Sequence, residues 1–238
     1  MKKIIFALLL TSTTFTFAGE PVDWSGFYGS LLIGRDWAHV TEGATSAIYN
    51  NSENEGEIFG PRSPYSLGAW NGGIKLGYNK QISNILLGFE IGGNWQNSKG
   101  GIKVNFGNDV APPSVETKIK NFETITPRLG YIFDETTLIY GTAGLAFAQV
   151  KRILNDDQGW FDMAYSSKTL KGYEIGFGLE HKLDNKWAIR GNYEYLNFGN
   201  NNFTYNTCYE VCPYVLLSLK QNNSIYFSNL SLGVTYSF

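Results

Sequence analysis

The chain has 238 residues, with 19 Lys and Arg against 21 Asp and Glu and a formal net charge of −2, so no basic block recommends it for nucleic acid. Charged residues make up 17%, aromatics 16%, and 27 positions are Gly. With a mean hydropathy of −0.19, that mixture suits alternating faces better than an ordinary globular interior.

The N-terminus reads as an export signal. Lys2 and Lys3 form a positive n-region, Ile4 to Leu10 an apolar h-region, and Thr11 to Ala18 a polar, small-residue stretch with cleavage after Ala18 or Gly19. Residues 1–18 are therefore assigned to a signal peptide and 19–238 to one domain, since no Pro-rich, Ser-rich or single-charge linker divides them. Without the two lysines the balance is 17 minus 21, or −4. No later apolar run approaches the ~20 residues of a membrane helix.

Period-2 alternation then recurs in eight segments. In the first, Phe27, Leu31, Ile33 and Trp37 share a face, although Leu32 breaks the polar one. In the second, Trp70, Ile74, Leu76 and Tyr78 oppose Asn71, Lys75 and Asn79. In the third, Leu87, Phe89, Ile91 and Trp95 oppose Gly88, Glu90, Asn94 and Gln96. Leu129 and Tyr131 of the fourth oppose Thr126, Arg128 and Gly130. The fifth, 138–150, has small residues on both faces; Ile139, Leu145 and Phe147 are assigned outward. The sixth sets Ile175, Phe177 and Leu179 against Glu174, Gly176, Gly178 and Glu180. The seventh sets Trp187, Ile189, Tyr193 and Tyr195 against Arg190, Asn192 and Glu194. The last sets Leu230, Leu232, Val234, Tyr236 and Phe238 against Ser231, Gly233, Thr235 and Ser237.

Connections alternate in length. Tight turns at 79–84, 133–137 and 183–186 contrast with long polar stretches at 38–66, 97–115, 152–168 and 199–223. The pattern predicts an all-β protein: an eight-stranded antiparallel up-and-down transmembrane β-barrel in the bacterial outer membrane. Both termini are periplasmic and four long loops lie outside. Outward aromatics fall into two belts: Trp37, Trp70, Trp95, Tyr195 and Tyr226 at the outer interface, and Phe27, Tyr78, Tyr131, Trp187, Tyr236 and Phe238 at the periplasmic one. An apolar-Gly-apolar core at Gly77, Gly130, Gly178 and Gly233 repeats about every fifty residues, once per hairpin. The rival fold is a soluble secreted barrel of lipocalin type, apolar within and polar without.

The inward set contains Lys75, Glu90, Arg128, Glu174, Glu180, Arg190 and Glu194. A lipid-facing Lys or Arg at the midplane costs roughly 2–4 kcal/mol, so parity aims these inward. Both signs occur, which favours a structural charge network over an ion path, because an eight-stranded interior is just filled by side chains. Cys208 and Cys212 are the only cysteines, and an oxidising compartment predicts a disulfide between them; a metal site is the rival. His39 and His181 are the only histidines. Haem ligation by either, or by Tyr205, Tyr209 or Tyr214, is the cofactor alternative to none. An enzyme is not predicted: Glu180 adjoins His181 in sequence but on opposite faces, and no nucleophile, phosphate-loop, zinc-protease or dinucleotide motif is visible.

Several segments resemble the small outer-membrane barrels of α-proteobacteria, a family of surface antigens and porin-like proteins related in shape to the OmpA membrane domain. They are Asp23-Trp24-Ser25-Gly26-Phe27-Tyr28, Pro127-Arg128-Leu129-Gly130-Tyr131, Gly144-Leu145-Ala146, Glu194-Tyr195 and the terminal Gly233-Val234-Thr235-Tyr236-Ser237-Phe238. The resemblance implies an eight-stranded barrel with surface-exposed loops and no catalytic residues; some relatives are haemin-binding and some are porins. Tyr236 and Phe238 resemble the terminal signal read by the barrel assembly machinery. The expected function is an envelope surface barrel with a structural role. The alternatives are a haemin- or host-ligand receptor or adhesin, and a narrow porin. Expected partners are outer-membrane lipid, lipopolysaccharide, the assembly machinery and a haemin or host ligand at the loops, with no nucleic acid.

Overall fold

The computed structural model describes residues 23–49, 55–58, 64–103, 114–155, 164–208 and 216–238. The signal segment, Cys212, Tyr209 and Tyr214 lie outside these, and with them the Cys208–Cys212 pairing.

Strand β1 spans Gly26–Tyr49, β2 Glu55–Ile58, β3 Pro64–Ile82, β4 Ile85–Lys103, β5 Ser114–Ile132, β6 Thr137–Asn155, β7 Ala164–Lys182, β8 Trp187–Cys208 and β9 Leu216–Ser237. All pairings are antiparallel between neighbours, and β1 pairs with β9 from Tyr28↔Ser237 to Tyr49↔Leu217. Eight long strands therefore close a barrel; β2 only adds to the outer end of β1, from Thr45↔Ile58 to Ile48↔Glu55. The inner turns are tight. Ser83-Asn84 joins β3 to β4 with Ser83 at φ 55°, and bends at 133–136 and 183–186 join the next two hairpins.

The strands run further than the alternation predicts. The eight barrel strands have 19 residues or more, against the ~9–11 that cross the hydrocarbon. They take up much of the stretches read as loop, leaving outer connections at 50–63, 104–113, 156–163 and 209–215 that are still longer than the inner turns. Two causes hid this. Register shifts between Glu42/Thr45, Trp95/Ser98, Ile119/Asn121 and Asn197/Asn200 reset the phase. Towards the outer end the polarity of the two faces also reverses, as on β5 and β8, where Ile119 and Phe203 turn inward while Lys118 and Asn202 turn outward.

In the inner half the outward face is apolar apart from its outer margin, where Arg35 lies 5.7 Å over the Trp70 ring and Glu123 pairs in register with Phe147. Leu31, Trp70, Phe89, Trp95, Leu129, Leu145, Phe177, Ile189 and Leu232 are exposed there, while Asn, Thr, Lys, Arg and Glu point in. The periplasmic belt is continuous at two places, with ring pairs Phe27–Tyr78 at 5.0 Å, Trp187–Tyr236 at 4.9 Å and Tyr236–Phe238 at 5.3 Å. In the outer half an apolar core fills the interior. Ala38, Val40, Leu67, Ile119, Phe122, Val150, Leu196, Phe203, Ile225 and Phe227 are buried together, with Lys, Asn and Ser outward.

The wall also changes. β3 and β4 pair only from Asn71↔Gln96 inward, and β7 and β8 only from Tyr173↔Asn197 inward. Outside those points the barrel splits into two four-stranded sheets, β8-β9-β1-β3 and β4-β5-β6-β7, facing across the apolar core. Phe122 meets Phe227 at 5.1 Å across the gap, and the Tyr65 and Thr117 hydroxyls are 2.6 Å apart. Pro64, Lys99, Lys168 and Lys171 stand on three of the four strand stretches that lose a partner, those of β3, β4 and β7, a composition that discourages edge-to-edge association.

Candidate functional site

The lumen of the inner half holds the chemically distinctive side chains. Alternation along β3, β4, β5, β7 and β8 turns Lys75, Glu90, Arg128, Glu174, Glu180, Arg190 and Glu194 inward, and each is at most 2% exposed. Lys75 Nζ lies 2.9 Å from Glu90 Oε1 and 2.5 Å from Glu194 Oε1. Arg190 bridges Glu90 at 2.6 Å and Glu180 at 3.3 Å, and Arg128 reaches Glu180 at 2.9 Å. Six of the seven thus form one chain of alternating sign. Glu174 stands apart, accepting a hydrogen bond from Thr142 Oγ1 at 2.9 Å.

Neutral groups complete the lattice. The Tyr28 hydroxyl donates to Glu90 Oε2 at 2.7 Å, and Asn229 Nδ2 donates to Glu194 Oε2 at 2.9 Å. The Arg128 guanidinium lies 3.6 Å from the Tyr140 ring centre and 5.4 Å from that of Tyr28, a placement that stabilises a desolvated cation. The repeated glycines explain how two tyrosines fit. A Cβ at Gly77 would lie 2.5 Å from the Tyr28 hydroxyl, and one at Gly178 would collide with Tyr140. Asn94, Thr124 and Thr126 are buried without a protein partner for their side chains, as happens where internal water supplies it.

Sequence reasoning missed several members. Tyr28 and Tyr140 are inward simply because Phe27 and Ile139 are outward, so parity could have found them. Asp36 also follows from parity; it accepts from Ser98 Oγ at 2.7 Å and from the Ala69 amide at 3.1 Å. Arg152 falls in a stretch that the alternation assigns to a loop, yet it is 0% exposed inside the outer core, donating to Thr117 and Gln221 at 3.1 Å each.

An apolar cluster flanks this lattice at each end. On the outer side lies the apolar core. On the periplasmic side Trp24, Leu86, Ile132, Leu138 and Tyr140 form a second buried cluster. Trp24 is held by Nε1–H donation to the Glu135 carbonyl at 2.9 Å and by Lys182, whose Nζ is 4.9 Å from the ring and 2.6 Å from the Asp23 carbonyl.

The other candidates are not brought together. His39 is outward near the outer belt, stacked on Tyr226 at 5.2 Å and 2.9 Å from Ser66 Oγ. His181 is outward at the periplasmic end, 3.0 Å from Thr137 Oγ1. Tyr205 is buried in the outer core. Glu180 is buried while His181 is exposed, on opposite faces of β7. Among the described residues no cluster of three metal-ligating acids, His or Cys occurs.

Comparison with known proteins agrees with this architecture. The chain is 31% identical over 188 residues to the 31 kDa outer-membrane immunogenic protein of Brucella melitensis, covering 76% of this chain and 75% of that one. The barrel resembles the outer membrane protein OprG from Pseudomonas aeruginosa with a TM-score of 0.54 at 11% identity, covering 90% of this chain and 97% of OprG. It resembles the outer membrane protease OmpT from Escherichia coli with the same TM-score, 0.54, at 10% identity, covering 94% and 99%. Likeness at that level is a likeness of fold, and one barrel shape carries unrelated activities. The sequence profile described as the outer membrane protein beta-barrel domain matches residues 4–238. The chain is a member of that family and an integral β-barrel of the bacterial outer membrane.

Proposed function

We propose that this barrel is sealed. It acts as a structural and surface-displaying element of the envelope, without a through-pore, a cofactor or a catalytic centre. One observation carries the reading: the lumen is filled in three successive layers, with the Trp24 cluster, the charge lattice and the outer apolar core stacked along the axis. An eight-stranded barrel has little interior volume to spare, and ions would have to displace paired charges and then cross an apolar layer. The separation of His39 from His181 supports working without haem.

The test is planar-bilayer recording of refolded protein that migrates heat-modifiably in detergent gels. Silence across the voltage range is expected, and steady unitary conductance would overturn the seal. Barrel assembly machinery is the proposed biosynthetic partner. Tyr236 and Phe238 suit such recognition, since Phe238 is 80% exposed at the end of β9. Substituting Phe238 with Ala is expected to lower the amount of barrel assembled in cells while leaving refolding in detergent intact.

A further inference from the structure

The outward face of β4, β5 and β6 carries a row of lysines directly opposite one another. Lys99 pairs in register with Lys118, and Lys118 with Lys151. Residues paired in register project from the same face, and Ser98, Thr117 and Arg152, their chain neighbours, are buried inward, so all three ammonium groups share the outer surface. Like charges directly opposite on neighbouring strands destabilise a sheet. Among the described residues the row has one acidic partner, Glu116, 3.3 Å from Lys118. Lys120 and Lys171 are exposed on the same wall. Lysines on a sheet margin guard against association, and that accounts for Lys99. It does not account for Lys118 and Lys151, which lie on strands paired on both sides.

Position identifies the partner. On β4 the apolar band ends at Trp95, four residues before Lys99; on β6 it ends at Phe147, four before Lys151. At ~3.3 Å per residue the lysines stand about 13 Å along the strands from the last lipid-facing rings. That is the level of the headgroups and first sugars of the outer leaflet. The opposite sheet differs: its outward residues there include Ser66, Asn197, Asn202, Ser224 and Tyr226, with Lys220 its one described lysine at this level.

We propose that this wall is a docking surface for the phosphate- and carboxylate-bearing headgroup of lipopolysaccharide. Its lysines take the place of the divalent cations that otherwise bridge neighbouring anionic glycolipids. The inference depends on the membrane placement and not on the sealed lumen, so a conducting barrel would leave it standing.

The experiment titrates refolded protein in phosphatidylcholine vesicles with purified lipopolysaccharide. It compares wild type with the triple variant Lys99→Gln, Lys118→Gln, Lys151→Gln and with the control Lys186→Gln, Lys220→Gln. The triple variant is expected to bind about tenfold or more weakly, since each lysine near an anionic surface contributes appreciably, and to lose most of the salt dependence. The control should match wild type, and dephosphorylated lipopolysaccharide should bind wild type as poorly as intact lipopolysaccharide binds the triple variant. Equal affinity in the triple variant, or undiminished binding after dephosphorylation, would overturn the proposal. So would binding of a soluble sulfated polysaccharide with none of lipopolysaccharide. Heat-modifiable migration reports folding; if the triple variant fails that check, Lys118→Gln alone decides by the same comparison, with a two- to fourfold loss expected.

Discussion

Ile91 and Ile119 belong to neighbouring strands and to two different kinds of protein. Ile91 faces outward and is 48% exposed; Ile119 faces inward and is fully buried. Below the outer aromatic belt the solvent outside is hydrocarbon, so apolar groups go out and the charges retreat to the lumen. Above it the solvent is water, and the arrangement is that of a soluble sandwich. Wall continuity follows the same boundary. Within hydrocarbon an unpaired backbone amide has no partner, so every strand must be flanked on both sides. The splits begin at Asn71/Gln96 and Tyr173/Asn197, beside Trp70, Trp95 and Tyr173, where water can take over that role. The rival lipocalin-type pattern is thus present, but only in the protruding half.

Substitutions can break this comparison. The largest effect is expected in the lattice: Arg190→Ala removes the cation shared by Glu90 and Glu180, leaves Glu90, Glu180 and Glu194 with only Lys75 and Arg128 in the chain of charges, and should cost about 3–5 kcal/mol, read from urea unfolding of the barrel in lipid vesicles. Phe227→Ala removes a ring shared by both outer sheets and should cost about 3 kcal/mol. Because the inner half keeps its own contacts, proteolysis should open the outer sheets of that variant before the membrane band is lost. A loss shared equally by both halves would mean that they fold as one unit. The outward face provides the most direct contrast. Ile91→Lys places a charge in hydrocarbon and should cost roughly 2–4 kcal/mol, whereas Gln149→Lys, outward on β6 above the belt, should stay within about 0.5 kcal/mol. Equal costs would erase the boundary drawn here.

The smallest effect belongs to the periplasmic turn at Asp184. Its carboxylate accepts from the Lys186 and Trp187 amides at 2.7 Å each, and these bonds hold its pKa below the ordinary aspartate value. A depressed pKa means that the contribution is present at neutral pH and is lost as acid titrates the folded carboxylate. Asp184→Ala should therefore remove a slight acid sensitivity of the β7–β8 hairpin, visible as faster amide exchange at Trp187.

The inner half was legible because two solvents act on alternate residues. Phe89 and Glu90, or Ile189 and Arg190, cannot exchange faces without placing a charge in lipid, so parity alone aimed the seven lumen charges. The outer half was not legible. Water outside and an apolar core inside reverse the sign of the signal, and the shift between Ile119 and Asn121 puts Val115, Thr117 and Ile119 out of phase with Phe122, Thr124 and Thr126 below them. Hence Val115 and Arg152 fall in stretches read as loop, while Phe122 keeps phase with Arg128 but lies outside the residues whose alternation was read as strand. Tyr28 and Tyr140 were legible as inward residues, but only the fold brings both onto Arg128. Trp24 precedes the first strand, where no period exists to orient it.

The pairing of β1 with β9 also sets a timetable. Each hairpin can form from residues made close together, but the seam that completes the cylinder joins Tyr28 to Ser237. Contacts of such separation form late and slowly. Until then both seam strands carry unmatched amides that neither the bilayer nor a crowded periplasm tolerates for long. The cylinder is therefore sealed only when its first and last strands meet, after every hairpin between them can already have formed.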